Sequence, residues 1–306
     1  MEPETAGDPM GKLLNWTRKS TYSVSHALKQ ERGIDISPNT TGKVLKGLGY
    51  SLKSNKKSIS TTHHPDRDLQ FQQIESKVKA FKEMAQPIIS VDTKKKESIG
   101  NFANTGKKYC IEADETLDHD FVSLASGKIN PYGIYEKLTN KGAVVLGTDN
   151  DTPEFAVDAI KTWLTYQGCV RYPDIKQLLI LCDSGGSNGY RKHGWKYYLY
   201  HKLSVVYGIE IQVCHYPSGA SKWNPIEHRL FSFISKNWAG VPLRSVETAM
   251  NYIESTTTRK GLEVKAFLNQ KAYQSGQKFD KRTIENNIKI KRNKILPDWN
   301  YTILPT

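Results

Sequence analysis

Three acidic residues stand where their side chains could do chemistry. Asp183 lies within the segment QLLILCDSGGSN, in which the apolar run 178–182 meets a carboxylate, two glycines and a serine. A short apolar run bounded by glycine reads as a strand buried on both faces. Asp183 then falls at the strand's C-terminal end, where open α/β sheets place their ligands. Gly185 and Gly186 keep bulk away from it. The competing reading is a residue that caps the next helix. Asp92 closes a second such run, PIISVD, and Glu227 lies in WNPIE at the opening of a helix. A helix dipole favours an anion there without any catalysis, and Asp92 alone could be a turn residue. Together, carboxylates held by rigid elements bind hard divalent cations through oxygen. Mg²⁺ accepts few protein carboxylates, so three can serve two ions. Two ions ~3.5–4 Å apart can activate a hydroxyl and steady the leaving oxygen in phosphodiester chemistry.

Other candidates rank lower. Asp149 and Asp151 follow a strand expected two places from the one that carries Asp92, and Asp151-Thr152 reads as a helix cap. Glu97 lies past the lysine turn 94–96 and is expected to face solvent. His228 is expected on a helix surface. His63-His64 lacks companion zinc ligands. The four cysteines, at 110, 169, 182 and 214, form no CxxC pair. That argues against a zinc ribbon and a disulfide framework and fits a reducing compartment.

The elements that must position these residues follow in order. Residues 87–92 read as a strand, and 98–103 as its antiparallel hairpin partner across the lysine turn. Residues 104–131 lack periodicity and read as an insertion or long loop, with a strand piece at 132–135. Residues 143–148 form a third strand. Thr152-Pro153 opens a helix carrying Phe155, Ala159, Ile160 and Trp163 on one side. Strand 178–182, a helix from 190 to 207 stopped by Gly208, strand 209–214 and a helix from 223 complete the set. Antiparallel strands followed by alternating helix and strand is the order of an α/β, ribonuclease H-like mixed sheet core. That order puts the first and fourth strands side by side, so Asp92 and Asp183 meet.

Ahead of this core, residues 1–15 read as a flexible lead-in and 16–60 as a small helix-turn-helix module, with or without a wing. Its first helix carries Val24, Ala27 and Leu28 and stops at Gly33. Its second is capped by Ser37-Pro38, has Val44, Leu45 and Leu48 as its apolar face, and is followed by a short strand at 50–52. Thr40, Thr41, Lys43 and Lys46 on that helix, with Lys53, Lys56 and Lys57 beyond it, suit a major groove flanked by phosphates. The alternative is a helical hairpin with a basic face. Residues 61–86 form a connecting helix with the face Leu69, Ile74, Val78 and Phe81. The catalytic core spans 87–258 and a basic C-terminal extension 259–306. Its lysines and arginines could track phosphates, and residues 299–301 are expected to dock on the core.

Forty-four basic against 31 acidic residues give a net charge of +13. A basic chain without a membrane span most often meets nucleic acid. No run of 18 apolar residues occurs, and the N-terminus does not read as a signal peptide. A cytoplasmic, nucleoid-associated protein is expected.

The segments SVDTKKKESIGNF, DNDTPEFAVDAI, LCDSGGSNG and WNPIEHRLFSFIS closely resemble bacterial insertion-sequence transposases of the DDE class, in the Rhodopirellula transposase family. The resemblance runs from about residue 7 to residue 301, and it is the combination of motifs that is specific. It implies a ribonuclease H-like core, dependence on Mg²⁺ or Mn²⁺, and cleavage and joining of double-stranded DNA at element ends and target. Its triad falls on Asp92, Asp183 and Glu227, with 43 residues between the last two. A homodimer or larger assembly on DNA is expected, because two element ends must be joined. One departure is that members usually carry more chain ahead of the GDPM segment. A truncated, non-catalytic DNA-binding remnant is therefore the alternative, and a structure-directed nuclease with the same core a further one.

Overall fold

The computed structural model describes residues 19–53, 64–119 and 121–305, together with a two-residue strand pairing of Thr5–Ala6 with Trp16–Thr17. The chain divides into two compact units, residues 1–59 and 60–306.

The first unit contains α1 (Thr21–Arg32) and α2 (Pro38–Gly47). Ser20 and Ser37 cap them by accepting the backbone N–H groups of Ser23 and Thr40, each at 3.1 Å. Gly33 ends α1 in the left-handed conformation. The expected apolar face of α2 is not what is buried. Val44 and Leu48 are 49% and 68% exposed, while Thr41 is only 2% exposed. Gly42 lies near Thr21 of α1, and a Cβ there would make ordinary contact with the Thr21 methyl at 3.7 Å. Residues 50–52 form no strand.

The second unit is built on a mixed sheet. Its strands are β1 (Ile88–Thr93), β2 (Glu97–Ile99), β3 (Gly127–Glu136), β4 (Lys141–Gly147), β5 (Gln177–Cys182), β6 (Glu210–His215), β7 (Glu263–Asn269), β8 (Ile290–Arg292) and β9 (Asn300–Ile303). The spatial order is β8-β9-β6-β5-β1-β3-β4-β7, with β2 paired to β3. β1 runs parallel to β5, and β5 parallel to β6. The first and fourth strands of the sequence reading are thus adjacent, as expected.

The hairpin expected across the lysine turn is not formed. The antiparallel partner of β1 is β3, which has ten residues, while Glu97–Ile99 pairs with the start of β3. The strand was hidden because Asn130, Pro131 and Gly133, residue types depleted from strands, sit in its middle. β3 and β4 form the hairpin instead.

Helices cover both faces. α4 (Pro153–Trp163) and α5 (His193–Leu199) each run on through a π-helical turn. They pack on Ile89, Val91, Leu178 and Ile180. The other face carries α3 (Arg67–Glu83), over Ile88, Leu179 and Leu181. It also carries helix 225–237, a π turn Glu227–Phe231 leading into α6 (Ser232–Asn237), and α7 (Val246–Glu254). α3 is rotated from the expected register: Leu69 is 42% exposed and Gln70 fully buried. The Gln70 amide earns that place by donating to the His215 carbonyl at 2.8 Å and exchanging bonds with Asn300.

The C-terminal segment supplies a strand to each side of the sheet. β7 lies parallel to β4, and β9 antiparallel to β6 with Tyr301 opposite Val213. Trp299 and Tyr301 are buried, as expected of a segment docked on the core. A short helix, α8 (Lys281–Asn287), precedes β8. Among the described residues no helix is long and apolar enough to cross a membrane.

Candidate active site

Pairing register brings the two aspartates together. Val91 is level with Cys182 in the parallel β1–β5 pair. Asp92 and Asp183 are the next residue along each strand, so they emerge side by side at the C-terminal ends. Ser90 and Asp92 share one face of β1 by the two-residue period of a strand. It is the face on which helix 225–237 lies.

Glycine decides how near that helix can come. Gly133 sits opposite Asp92 on β3. A Cβ there would collide with the Phe231 ring and lie 2.8 Å from Ile226 Cδ1. Gly142, on β4, plays the same part for Leu230, at 2.7 Å. The bare backbone at these two positions lets the helix settle on the sheet, with Glu227 in its first turn above the aspartates.

Polar bonds then tie the start of the helix to both strands. Asn224, fully buried, donates from Nδ2 to Asp183 Oδ1 at 3.0 Å. Its Oδ1 accepts from the hydroxyl of Ser90, also fully buried. Ser90 Oγ in turn accepts the Ile226 N–H at 3.1 Å. Behind Asp183, His215 lies fully buried. Its Nδ1 meets the Asp183 carbonyl at 2.9 Å and its Nε2 meets the Tyr301 hydroxyl at 3.1 Å.

The electrostatics follow from burial. Asp92 is pushed up to about 8, first by burial and then by Asp183, with Glu227 and Asp151 adding and the Thr93 N–H at 2.8 Å opposing. Asp183 is pushed up to about 6 by burial, opposed by the Asn224 amide and reinforced by Glu227. Burial also raises Glu227, against the pull of His228 and Lys94. The three carboxylates selected from sequence therefore form one coupled group. All of its donors are hard oxygens, the set that suits Mg²⁺ or Mn²⁺. Among the described residues no three His, Cys, Asp or Glu side chains are disposed to hold a single ion.

The lower-ranked candidates separate. Asp149 is occupied, with Oδ2 accepting the Tyr273 N–H at 2.5 Å. Asp151 is not the helix cap: Thr152 alone accepts the Phe155 N–H, at 3.2 Å. Asp151 Oδ1 is buried without a partner, and its charge reaches Asp92. The sequence reading set it too far away. Glu97 does not simply face solvent but pairs with Lys94 at 2.5 Å, and Lys94 also lies over the Trp238 ring. His228 is exposed and bonded to the Lys222 carbonyl, as expected of a surface histidine. Sequence reasoning missed Ser90, Asn224 and His215. Asn224 was visible three residues before Glu227. Nothing in the sequence marked His215, which read as loop.

Of the residues assigned to DNA, Thr40, Lys43, Lys46 and Lys53 are exposed. Thr41 is corrected: it is buried, and its hydroxyl donates to the Ser37 carbonyl at 3.0 Å. Lys56 and Lys57 lie outside the described residues.

Two strand-end aspartates and a helix-start glutamate thus meet, the three residues on which the sequence resemblance places a triad. The chain belongs to the Rhodopirellula transposase DDE domain family, which it matches over residues 1–305, and it is a transposase. No curated protein matches it by sequence. Two solved structures are similar to it in chain path. One is the Mos1 transposase paired-end complex with left transposon end (13% identity, TM-score 0.44), covering 81% of this chain and 72% of that one. The other is the Mos1 mariner paired end complex with Mn (12% identity, TM-score 0.43), covering 78% and 72%. At these scores they carry no weight beside the family match.

Proposed function

We propose that residues 87–258, with the strands that 259–306 adds to their sheet, are a ribonuclease H-like catalytic core that cuts and rejoins DNA at the ends of an insertion sequence. In this reading Asp92, Asp183 and Glu227 hold two Mg²⁺ or Mn²⁺ ions. The observation that carries it is the meeting of Asp92 and Asp183 at level strand ends beneath Glu227, in a chain of this family. Bound divalent ions would supply Lewis-acid activation of the attacking oxygen and charge neutralisation at the leaving oxygen. The chain's own work is to hold three ionised carboxylates together. Asp183 is oriented through Asn224, Asp92 through the Thr93 N–H, and Glu227 rides on a helix seated over glycine. Water is the first nucleophile, and the freed 3′-hydroxyl of the element is the second, directed at target DNA. No covalent bond between protein and DNA is required.

Residues 16–60 are the module that binds the terminal repeats, with Thr40, Lys43, Lys46 and Lys53 toward DNA. Lys95 and Lys96, exposed and three and four residues after Asp92 in the chain, suit the phosphates of the strand being cut. A dimer or larger assembly brings two ends together, and the protein works at the bacterial nucleoid.

The test is a labelled duplex carrying the element's end, incubated with Mg²⁺, Mn²⁺ or EDTA. Metal-dependent cleavage at the end, lost in Asp183→Asn, is the expected result. Binding without cleavage under every metal would overturn the catalytic reading.

A further inference from the structure

Asn224 lies within 3.0 Å of Asp183 and also touches Ser90, so it reaches both strands that carry the aspartates. Only one arrangement of donors satisfies the three bonds that link Ile226, Ser90, Asn224 and Asp183. The Ile226 N–H can only donate, so Ser90 Oγ accepts from it. The Ser90 hydroxyl proton is then free to go to Asn224 Oδ1. This leaves Asn224 Nδ2, which can only donate, facing the carboxylate oxygen of Asp183. The chain of bonds therefore has a fixed direction, from the helix backbone through Ser90 and Asn224 to Asp183. Asn224 and Ser90 are both fully buried, so water does not compete with it.

This chain does two things at once. It gives a partner to one of the backbone N–H groups that a helix start leaves without one. It also occupies one lone pair of Asp183 Oδ1, so the carboxylate cannot rotate about its Cβ–Cγ bond without breaking a buried hydrogen bond. Helix 225–237, which carries Glu227, is thereby anchored to β1 through Ser90 and to the end of β5 through Asn224.

We propose that Asn224, backed by Ser90, is the positioning residue of this site: it turns Asp183 toward the cation and sets how far Glu227 stands from both aspartates. Neither residue touches the reacting atoms. The inference rests on the metal-dependent reading above, and it adds two residues to the three carboxylates.

The test uses the full chain with Asn224→Ala and Ser90→Ala, and has two readouts. The first is Mn²⁺ affinity without DNA, measured by titration. Removing a partner that orients a metal ligand commonly costs about 10–100-fold in metal affinity, and that loss is expected for Asn224→Ala, with a smaller loss for Ser90→Ala. DNA affinity in EDTA should not change. The second readout needs no metal. A double-mutant cycle combines Asn224→Ala with Asp183→Asn and follows thermal unfolding in EDTA; the shifts should fail to add, because the two side chains are bonded. Should Asn224→Ala not fold, Ser90→Ala takes its place in both measurements. Unchanged Mn²⁺ affinity in these variants overturns the proposal, even with a lowered Tm, because the residues then only fasten a helix. Additive shifts in the cycle overturn it as well. If the wild-type chain itself binds no Mn²⁺, the metal-dependent reading fails, and the cycle still decides whether Asn224 orients Asp183.

Discussion

Asp92 and Gly133 face each other across the β1–β3 pair, and the missing side chain of one is what gives the other its neighbours. An alanine methyl at 133 would collide with Phe231 and Ile226. Forcing an extra methyl into a packed site typically costs about 1–3 kcal/mol. Gly133→Ala should therefore lower Tm and reduce cleavage at least tenfold while leaving DNA binding in EDTA unchanged. A variant with wild-type cleavage would show that the helix does not need this approach.

Neutralising the triad should separate stability from activity. Asp92→Asn, Asp183→Asn and Glu227→Gln should each reduce cleavage by ~10³-fold or more, since each removes part of several kcal/mol of charge stabilisation. Asp92→Asn should also raise Tm in EDTA at pH 8, because it removes a buried charge repelled by Asp183. A lower Tm for that variant, measured by scanning calorimetry, would contradict the crowding described here.

The same crowding sets a pH dependence. The folded values of Asp92 and Asp183, about 8 and about 6, lie above the ordinary value of 3.8. Groups raised on folding contribute stability at low pH and lose it as pH rises through their folded values. Without metal, this contribution declines between about pH 4 and pH 8. Mn²⁺ should restore it, so the rise in Tm on adding Mn²⁺ should be larger at pH 8.5 than at pH 5.5. Below pH 8, metal binding should release protons. Calorimetric titration in two buffers of different ionisation enthalpy would detect them; equal heats would sink the idea.

His215 acts with the opposite sign. Burial holds it down to about 4, against 6.5 when free. A group depressed on folding contributes stability above its unfolded value and loses it as pH falls toward the folded one. The difference corresponds to about 3 kcal/mol, lost between about pH 6.5 and pH 4. His215→Gln should flatten this acid limb in urea unfolding while lowering stability at pH 7. An unaltered acid limb would place the transition elsewhere.

Lys43 and Lys46 are exposed on α2. If they contact phosphates, Lys43→Ala with Lys46→Ala should weaken end binding and reduce the slope of log K against log salt by about 2. An unchanged slope in fluorescence anisotropy would remove α2 from the interface.

Much of the site was legible because its signals are local. An apolar run ending in a carboxylate describes both β1 with Asp92 and β5 with Asp183, and the order of strands and helices placed them side by side. Illegible features were those that depend on distant partners. β3 carries Gly133 because helix 225–237 lies against it, and Asn130 donates its amide to the Asp149 carbonyl. Gln70 is buried because His215 and Asn300 meet its amide, and α3 turns accordingly. Thr41 looks like a base-reading residue in sequence, yet it packs where the two helices come close. Asp151 seemed explained by a cap that Thr152 makes alone.

The strand at 300–303 has a consequence for how gene copies decay. β6 receives its outer neighbour from the far end of the chain, and with it the Tyr301 hydroxyl on His215 and the Asn300 amide on Gln70. A copy interrupted between residues 228 and 300 encodes all three carboxylates but leaves β6 as a bare edge. Such a chain would sooner stick to its neighbours than cut DNA. Damage late in the reading frame therefore silences an element as fully as loss of the triad.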